Sequence, residues 1–279
     1  MIDSHCHIQF NAYKDDAEEV IKKCREMGVK MNCVGSQRDT SIRAVEYAEK
    51  YQDICATIGL HPIHLTSTEV DEEETHFHSR EEKFDYEFYK KLGSHPKVIG
   101  IGECGLELYH LPPEANKAEI IAKQTEGFVE QYKLSKELGL PLVIHVRDAH
   151  EEMIDLLKSF GEPISGVVHC YTGDWQYAQE YLKLGLYLGF TGVITFPPKK
   201  TDSKPQVDLL EVVKNCPLDK ILIETDAPYL APQAYRGKRC EPWMVVEVAK
   251  KIAQMRNLDL AEVVKITEQN TRKLFTKIV

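Results

Sequence analysis

Short apolar runs alternate with helical patterns from one end of the chain to the other, and this alternation limits the possible folds more than any other feature. Eight runs read as strands: about Met1–His5, Val29–Gly35, Cys55–Leu60, Lys97–Gly102, Leu142–Ile144, Val167–Val168, Tyr187–Phe190 and Ile221–Ile223. Helical spacing marks Asp15–Met27, where Val20, Ile21, Cys24 and Met27 share a face. Further helices are expected over Thr40–Lys50, Tyr86–Leu92, Pro112–Leu138 and Glu241–Met255, with others beginning near Asp148 and Asp174. Asp259-x-x-Glu262 resembles a capping box opening a last helix. The acidic stretch Thr66–Phe84, which includes Asp71–Glu74, has poor periodicity and reads as a surface loop or frayed helix. Repeated βα units imply parallel strands. Eight of them in 279 residues fit one (β/α)8 barrel domain spanning 1–279. An open doubly wound sheet ranks below it, because no G-x-G-x-x-G or P-loop motif is present.

The eleven histidines are not scattered evenly. His5 and His7 close the first strand, and an H-x-H in extended chain puts both rings on one side. His61 follows strand three, Glu103 strand four, His145 strand five, His169 strand six and Asp226 strand eight. In a barrel these positions converge on the C-terminal face, where active sites are built. Six ligand-type residues (His5, His7, Glu103, His145, His169 and Asp226) are more than one ion needs, so two divalent ions are expected. Glu103 is the natural bridge between them. Strands one and eight become neighbours on closure, which assigns His5, His7 and Asp226 to one ion and His145 with His169 to the other. Histidine-rich ligation suits Zn2+ or Mn2+, whereas Mg2+ prefers oxygen donors.

The same segments, read in order, resemble the TatD family of metal-dependent deoxyribonucleases, within the amidohydrolase-like barrel superfamily. They are Asp3-Ser-His-Cys-His, Gly59-Leu-His-Pro, Gly102-Glu-Cys-Gly-Leu, Val143-Ile-His-Val-Arg-Asp-Ala, Val168-His-Cys-Tyr-Thr-Gly, Glu224-Thr-Asp-Ala-Pro-Tyr-Leu and Arg236-Gly-Lys-Arg-Cys-Glu-Pro. The resemblance implies metal-dependent hydrolysis of DNA phosphodiesters, often from a strand end, with Mg2+ as the ion in activity. It also implies the same six ligands. Glu107 stands where the family usually has Asp, Cys240 where Asn is frequent and Val146 where Ser is common. Glu107 and Cys240 are expected to border the substrate groove.

Asp226 and Glu103 are the expected catalytic residues, Asp226 both binding an ion and accepting a proton from water. Expected substrate contacts are His61 at the rim, Arg147, and Arg236 with Arg239 in the loop after strand eight. Tyr109, Tyr171, Trp175, Tyr229 and Tyr235 follow strands on that face. Packing is the more common role of rim aromatics, and stacking on bases the alternative. His76 and His78 repeat the H-x-H spacing, but without a strand end they read as solvated loop histidines. The net charge of −9 argues against a large duplex-coating footprint, though not against an enzyme that grips one phosphate through metal ions. No signal peptide or membrane-length apolar run is evident, and the eight scattered cysteines lack C-x-x-C spacing. An intracellular setting, cytoplasmic or nuclear, is therefore expected, while the resemblance implies DNA as partner and no obligatory protein partner is evident. Hydrolysis of a small-molecule amide, ester or aminoacyl bond is the second reading. A non-catalytic metal-binding scaffold is the third.

Overall fold

Eight strands, each followed by a helix, wind into a nearly closed parallel barrel in the computed structural model, which describes residues 1–66, 69–72, 75–79, 81–111 and 115–278. The strands are β1 (Ile2–Cys6), β2 (Lys30–Val34), β3 (Ile54–Ile58), β4 (Val98–Glu107), β5 (Leu142–Arg147), β6 (Gly166–Val168), β7 (Tyr187–Phe190) and β8 (Ile221–Ile223). The helices are α1 (Ala17–Glu26), α2 (Arg38–Lys50), α3 (Tyr86–Gly93), α4 (Lys117–Leu138), α5 (His150–Ser159), α6 (Trp175–Lys183), α7 (Lys204–Asn215), α8 (Val245–Arg256) and α9 (Leu260–Leu274). Strand order follows chain order. Just past the ends of β8 and β1, Asp226 N donates to His5 O at 2.9 Å and His7 N to Ala227 O at 2.7 Å, which closes the ring. The open doubly wound alternative is excluded by that closure.

Side-chain parity sorts the barrel interior into layers. Ile99, Val143, Val167, Tyr187 and Leu222 form an apolar layer with Leu274 and Phe275, and Phe275 is fully buried beneath it. Two residues further along their strands, on the same face, stand His145, His169 and Glu224. The apolar floor therefore lies one step below the polar layer. Outside the barrel, each helix turns one apolar face to the sheet, as Val20, Ile21 and Cys24 do on α1.

Several boundaries differ from expectation. β4 and β5 extend to Glu107 and Arg147, pairing in register to their ends, so Glu103 and His145 lie inside strands rather than after them. The β4–β5 register shifts between Gly102 and Cys104, so Glu103 sits at a bulge. A bulge rotates a side chain relative to its neighbours, and this one aims Glu103 into the barrel. The acidic stretch is not a loop or helix throughout: it contains an antiparallel hairpin, Glu69–Glu72 with Thr75–His78. Glu73 and Glu74 lie outside the described residues, as do the side chains of Asp71, Glu72, His76 and His78. Pro112 lies outside them too, and the helix expected from it begins at Lys117 behind an Asn116 cap. Asp259 is the N-cap of α9 but makes no side-chain cap bond, so the capping box does not form. Helix α7 had no counterpart in the sequence reading, although Leu209, Val212 and Val213 give it a buried face. No helix among the described residues is long and apolar enough to cross a membrane.

Candidate metal centre

All six expected ligand residues meet at the C-terminal mouth of the barrel, arranged about Glu103, which is 5% exposed. Its two carboxylate oxygens face different partners. Oε1 lies 2.7 Å from His169 Nε2 and 3.1 Å from His145 Nδ1. Those two nitrogens are themselves 3.1 Å apart. Oε2 faces β1, at 3.7 Å from His5 Nε2 and 3.9 Å from His7 Nε2. These nitrogens are 3.2 Å apart, and both face Asp226 Oδ1, at 3.6 and 3.3 Å. The two groups touch: the His5 and His169 rings stack at 4.0 Å, and His5, His169 and Asp226 also present ligand atoms within 4.8 Å of one another.

The local backbone explains the convergence. Asp3, fully buried, accepts from Thr225 N at 2.9 Å, from Thr225 Oγ1 at 2.5 Å and from His5 N at 3.3 Å. This clamp fixes β1 against the segment after β8, bringing His5 and His7 to Asp226. Asp226 itself adopts φ 60°, in the left-handed region, which Asp tolerates better than most residues. Gly105 is required where β4 passes β5, because a Cβ there would lie 1.8 Å from His145 O.

The electrostatics fit a divalent cation. Burial opposes ionisation of Glu103, yet His169, His61 and His145 hold it well below the usual carboxylate range. Burial also works against charge on His145, but Glu103 and Glu107 outweigh it and raise the imidazole to about 9. His5 is pushed down to about 4 by burial and by His169. Ring nitrogens packed 3.1–3.2 Å apart around two carboxylates cannot all carry protons, and a metal ion would satisfy their lone pairs together. The donor set of imidazoles and carboxylates is that of hydrolytic divalent-metal sites.

Outside this cluster the expected site residues divide. His61, 9% exposed, points Nε2 to within 3.5 Å of Glu103 Oε1. Its Nδ1 accepts from Ile63 N at 3.2 Å, so the proton resides on Nε2. Arg147 joins His61 in lining a cleft of about 680 Å³ over the centre, its guanidinium 3.9 Å from the Tyr109 ring centroid. Arg236 and Arg239 do not line that cleft. Arg239 is held by Asp16 at 2.6 and 2.9 Å, donates to Ala12 O and stacks on Tyr13. Arg236 is exposed and lies over Phe196. Arg239 is instead captured by Asp16, the N-cap residue of α1. Cys240 is fully buried rather than at the groove. Among the aromatics, Tyr171 is 2% exposed and packs inside, Tyr235 packs on Trp243, and Trp175 opens α6 partly buried. Tyr229 lines the cleft, and Tyr109, 59% exposed, lies under the Arg147 guanidinium.

Two buried carboxylates beyond the expected set lie against two of the expected ligand histidines. Glu107 Oε2 lies 3.2 Å from His145 Nε2, and Glu224 Oε1 lies 3.7 Å from His169 Nδ1. Burial pushes Glu224 up to about 7 against the pull of His169. The signal for Glu224 was strand parity: it stands two residues before Asp226 and two after the inward-facing Leu222.

Comparison with known proteins agrees with this architecture. The family described as TatD related DNase matches residues 2–276. The chain is 39% identical over 277 residues to the uncharacterized metal-dependent hydrolase YabD of Bacillus subtilis, covering 99% of this chain and 98% of that one. It is 32% identical over 283 residues to the 3'-5' ssDNA/RNA exonuclease TatD of Cronobacter sakazakii, again over 99% and 98%. Among solved structures, the TatD homolog YJJV from Escherichia coli superposes with a TM-score of 0.83 at 28% identity, over 99% of this chain and 98% of that one. With the family match running nearly end to end over this barrel and its cluster of histidines and carboxylates, the chain belongs to the TatD-related DNase family.

Proposed function

We propose that this chain is a divalent-metal-dependent nuclease that hydrolyses DNA phosphodiester bonds, working from strand ends. The observation that carries the reading is the division at Glu103, whose Oε1 faces His145 and His169 while Oε2 faces the β1 histidines beside Asp226. A carboxylate set between two such groups suits a pair of ions, of which His5, His7 and Asp226 would hold one and His145 and His169 the other. Bound divalent ions supply an acidified water and neutralise charge on the phosphate oxygens. Asp226, partly exposed at the cleft, is the acceptor of the water's proton in this reading. His61 offers a fixed Nε2–H to a phosphate oxygen, and Arg147 offers a planar fork to the same group. The exonuclease named among the relatives supports DNA as substrate and a strand end as the point of attack.

The test incubates end-labelled single- and double-stranded DNA with the protein under Mg2+, Mn2+ and Zn2+, beside an Asp226→Asn variant. Progressive shortening from one end is expected, with the variant at least about 100-fold slower. Cleavage undiminished in the variant would overturn the role of Asp226. No cleavage with any ion would move the reading to small-molecule ester or amide hydrolysis.

A further inference from the structure

The four ligand histidines differ in what stands behind them. His7 places Nδ1 2.7 Å from the carbonyl of Val34, and His5 Nδ1 is buried with no hydrogen-bond partner. His145 and His169 instead turn their outer nitrogens toward carboxylates, those of Glu107 and Glu224. Neither carboxylate is incidental. Glu107, 3% exposed, is fixed through Oε1 by the backbone N–H groups of Tyr109 at 2.6 Å and His110 at 3.2 Å, while its Oε2 faces His145 Nε2 at 3.2 Å and lies 3.4 Å from His110 Nδ1. Glu224, fully buried, accepts from Cys170 N at 2.5 Å through Oε1 and from Ser4 Oγ at 3.1 Å through Oε2. Space for it comes from Gly189, where a Cβ would fall 2.5 Å from Oε2. His169 Nδ1 is buried without a hydrogen bond of its own, and the Glu224 carboxylate is 3.7 Å away.

A buried ring N–H left unpaired is costly, and an acceptor on that side fixes which nitrogen keeps the proton. With the proton on the outer nitrogen, the inner one presents its lone pair. For His169 the inner nitrogen is Nε2 and for His145 it is Nδ1, and the two meet 3.1 Å apart beside Glu103 Oε1. A carboxylate acceptor also makes the imidazole a stronger electron donor than a carbonyl does. We propose that Glu224 and Glu107 are positioning residues which, through His169 and His145, set the ligating tautomer and the ion affinity of the half of the centre facing Glu103 Oε1. The inference rests on the metal-centre reading and adds to it a division of labour: among the described residues, the outer nitrogens of His5 and His7 make no hydrogen bond to a carboxylate.

Metal-free wild-type protein and the Glu224→Gln and Glu107→Gln variants are titrated with Co2+ by absorption spectroscopy and with Mn2+ by equilibrium dialysis. Wild type is expected to bind in two steps. Each variant should keep one step unchanged and weaken the other by about 10- to 100-fold, with an altered Co2+ spectrum. Unchanged affinities and spectra in folded variants overturn the proposal and leave the carboxylates a purely structural part. If Glu224→Gln does not fold, Glu107→Gln decides alone, because its carboxylate is anchored by a local turn. Wild type that binds no ion refutes the metal-centre reading itself, a result distinct from failure of the positioning role.

Discussion

Removing the Asp3 carboxylate should unfasten the barrel where it closes. In Asp3→Ala, Thr225 N and Thr225 Oγ1 lose a buried acceptor, and His5 N loses a longer one at 3.3 Å. Each buried donor left unpaired costs about 1–3 kcal/mol, so two full losses and one weak one amount to about 3–4 kcal/mol. An unfolding entropy of about 2.1 cal/mol/K per residue gives roughly 0.6 kcal/mol/K for 279 residues. The melting temperature should therefore drop by about 5–7 °C in Asp3→Ala. Asp3→Asn is the informative partner. Its Oδ1 still accepts from both backbone N–H groups, and its amide can donate to the Thr225 hydroxyl, so a loss of about 1–2 °C is expected. Calorimetry in chelator removes any contribution from bound metal. Equal losses in the two variants, or less than about 2 °C in the alanine variant, would refute the clamp.

Gly105→Ala should be far more damaging than its size suggests, because the new methyl lies 1.8 Å from His145 O at φ 157°. A fall in soluble yield, or in melting temperature by at least about 5 °C, is expected, and a variant that melts like wild type would show that β4 and β5 can part cheaply. His150 packs between Tyr171, Tyr177 and Tyr181, and burial lowers its imidazole to about 4. The unfolded chain binds that proton more readily, so stability is lost as pH falls from 6.5 toward 4, by up to about 3 kcal/mol. Denaturant titrations across that range should show the acid slope flattened in His150→Gln, and an unchanged slope would contradict the assignment. Arg147→Ala should raise KM for DNA more than it lowers kcat and reduce the salt dependence by about one contact. KM measured at two salt concentrations checks this, and an unchanged KM removes Arg147 from the substrate path.

The parts of this molecule legible from sequence were those that a single strand carries by itself. His5 and His7 share a face because of strand parity, and His145, His169 and Asp226 follow apolar runs on a topology that sends every strand end to one mouth. Glu103 was legible as a candidate ligand, but not its geometry, because the bulge between Gly102 and Cys104 exists only in pairing with β5. Partnerships across elements were not legible. The closure clamp joins Asp3 to Thr225, 222 positions away, and Arg239 is captured by Asp16 across 223. Glu224 stood in the sequence only as the first residue of the Glu224-Thr-Asp-Ala-Pro-Tyr-Leu segment, whereas its placement depends on the space left by Gly189 and on the N–H of Cys170. Glu107 stood out as a departure from the family pattern, and only the extension of β4 to meet Arg147 shows that it faces His145.

The claim at the centre of this account is that Glu103 divides the site into two ion positions. Crystals grown with Mn2+ and measured at the manganese absorption edge test it most directly. The account predicts two anomalous peaks per chain about 3.5–4 Å apart, one on each carboxylate oxygen of Glu103, flanked by His145 with His169 and by His5 with His7 and Asp226. A single peak, or peaks that leave Glu103 unliganded, would contradict it.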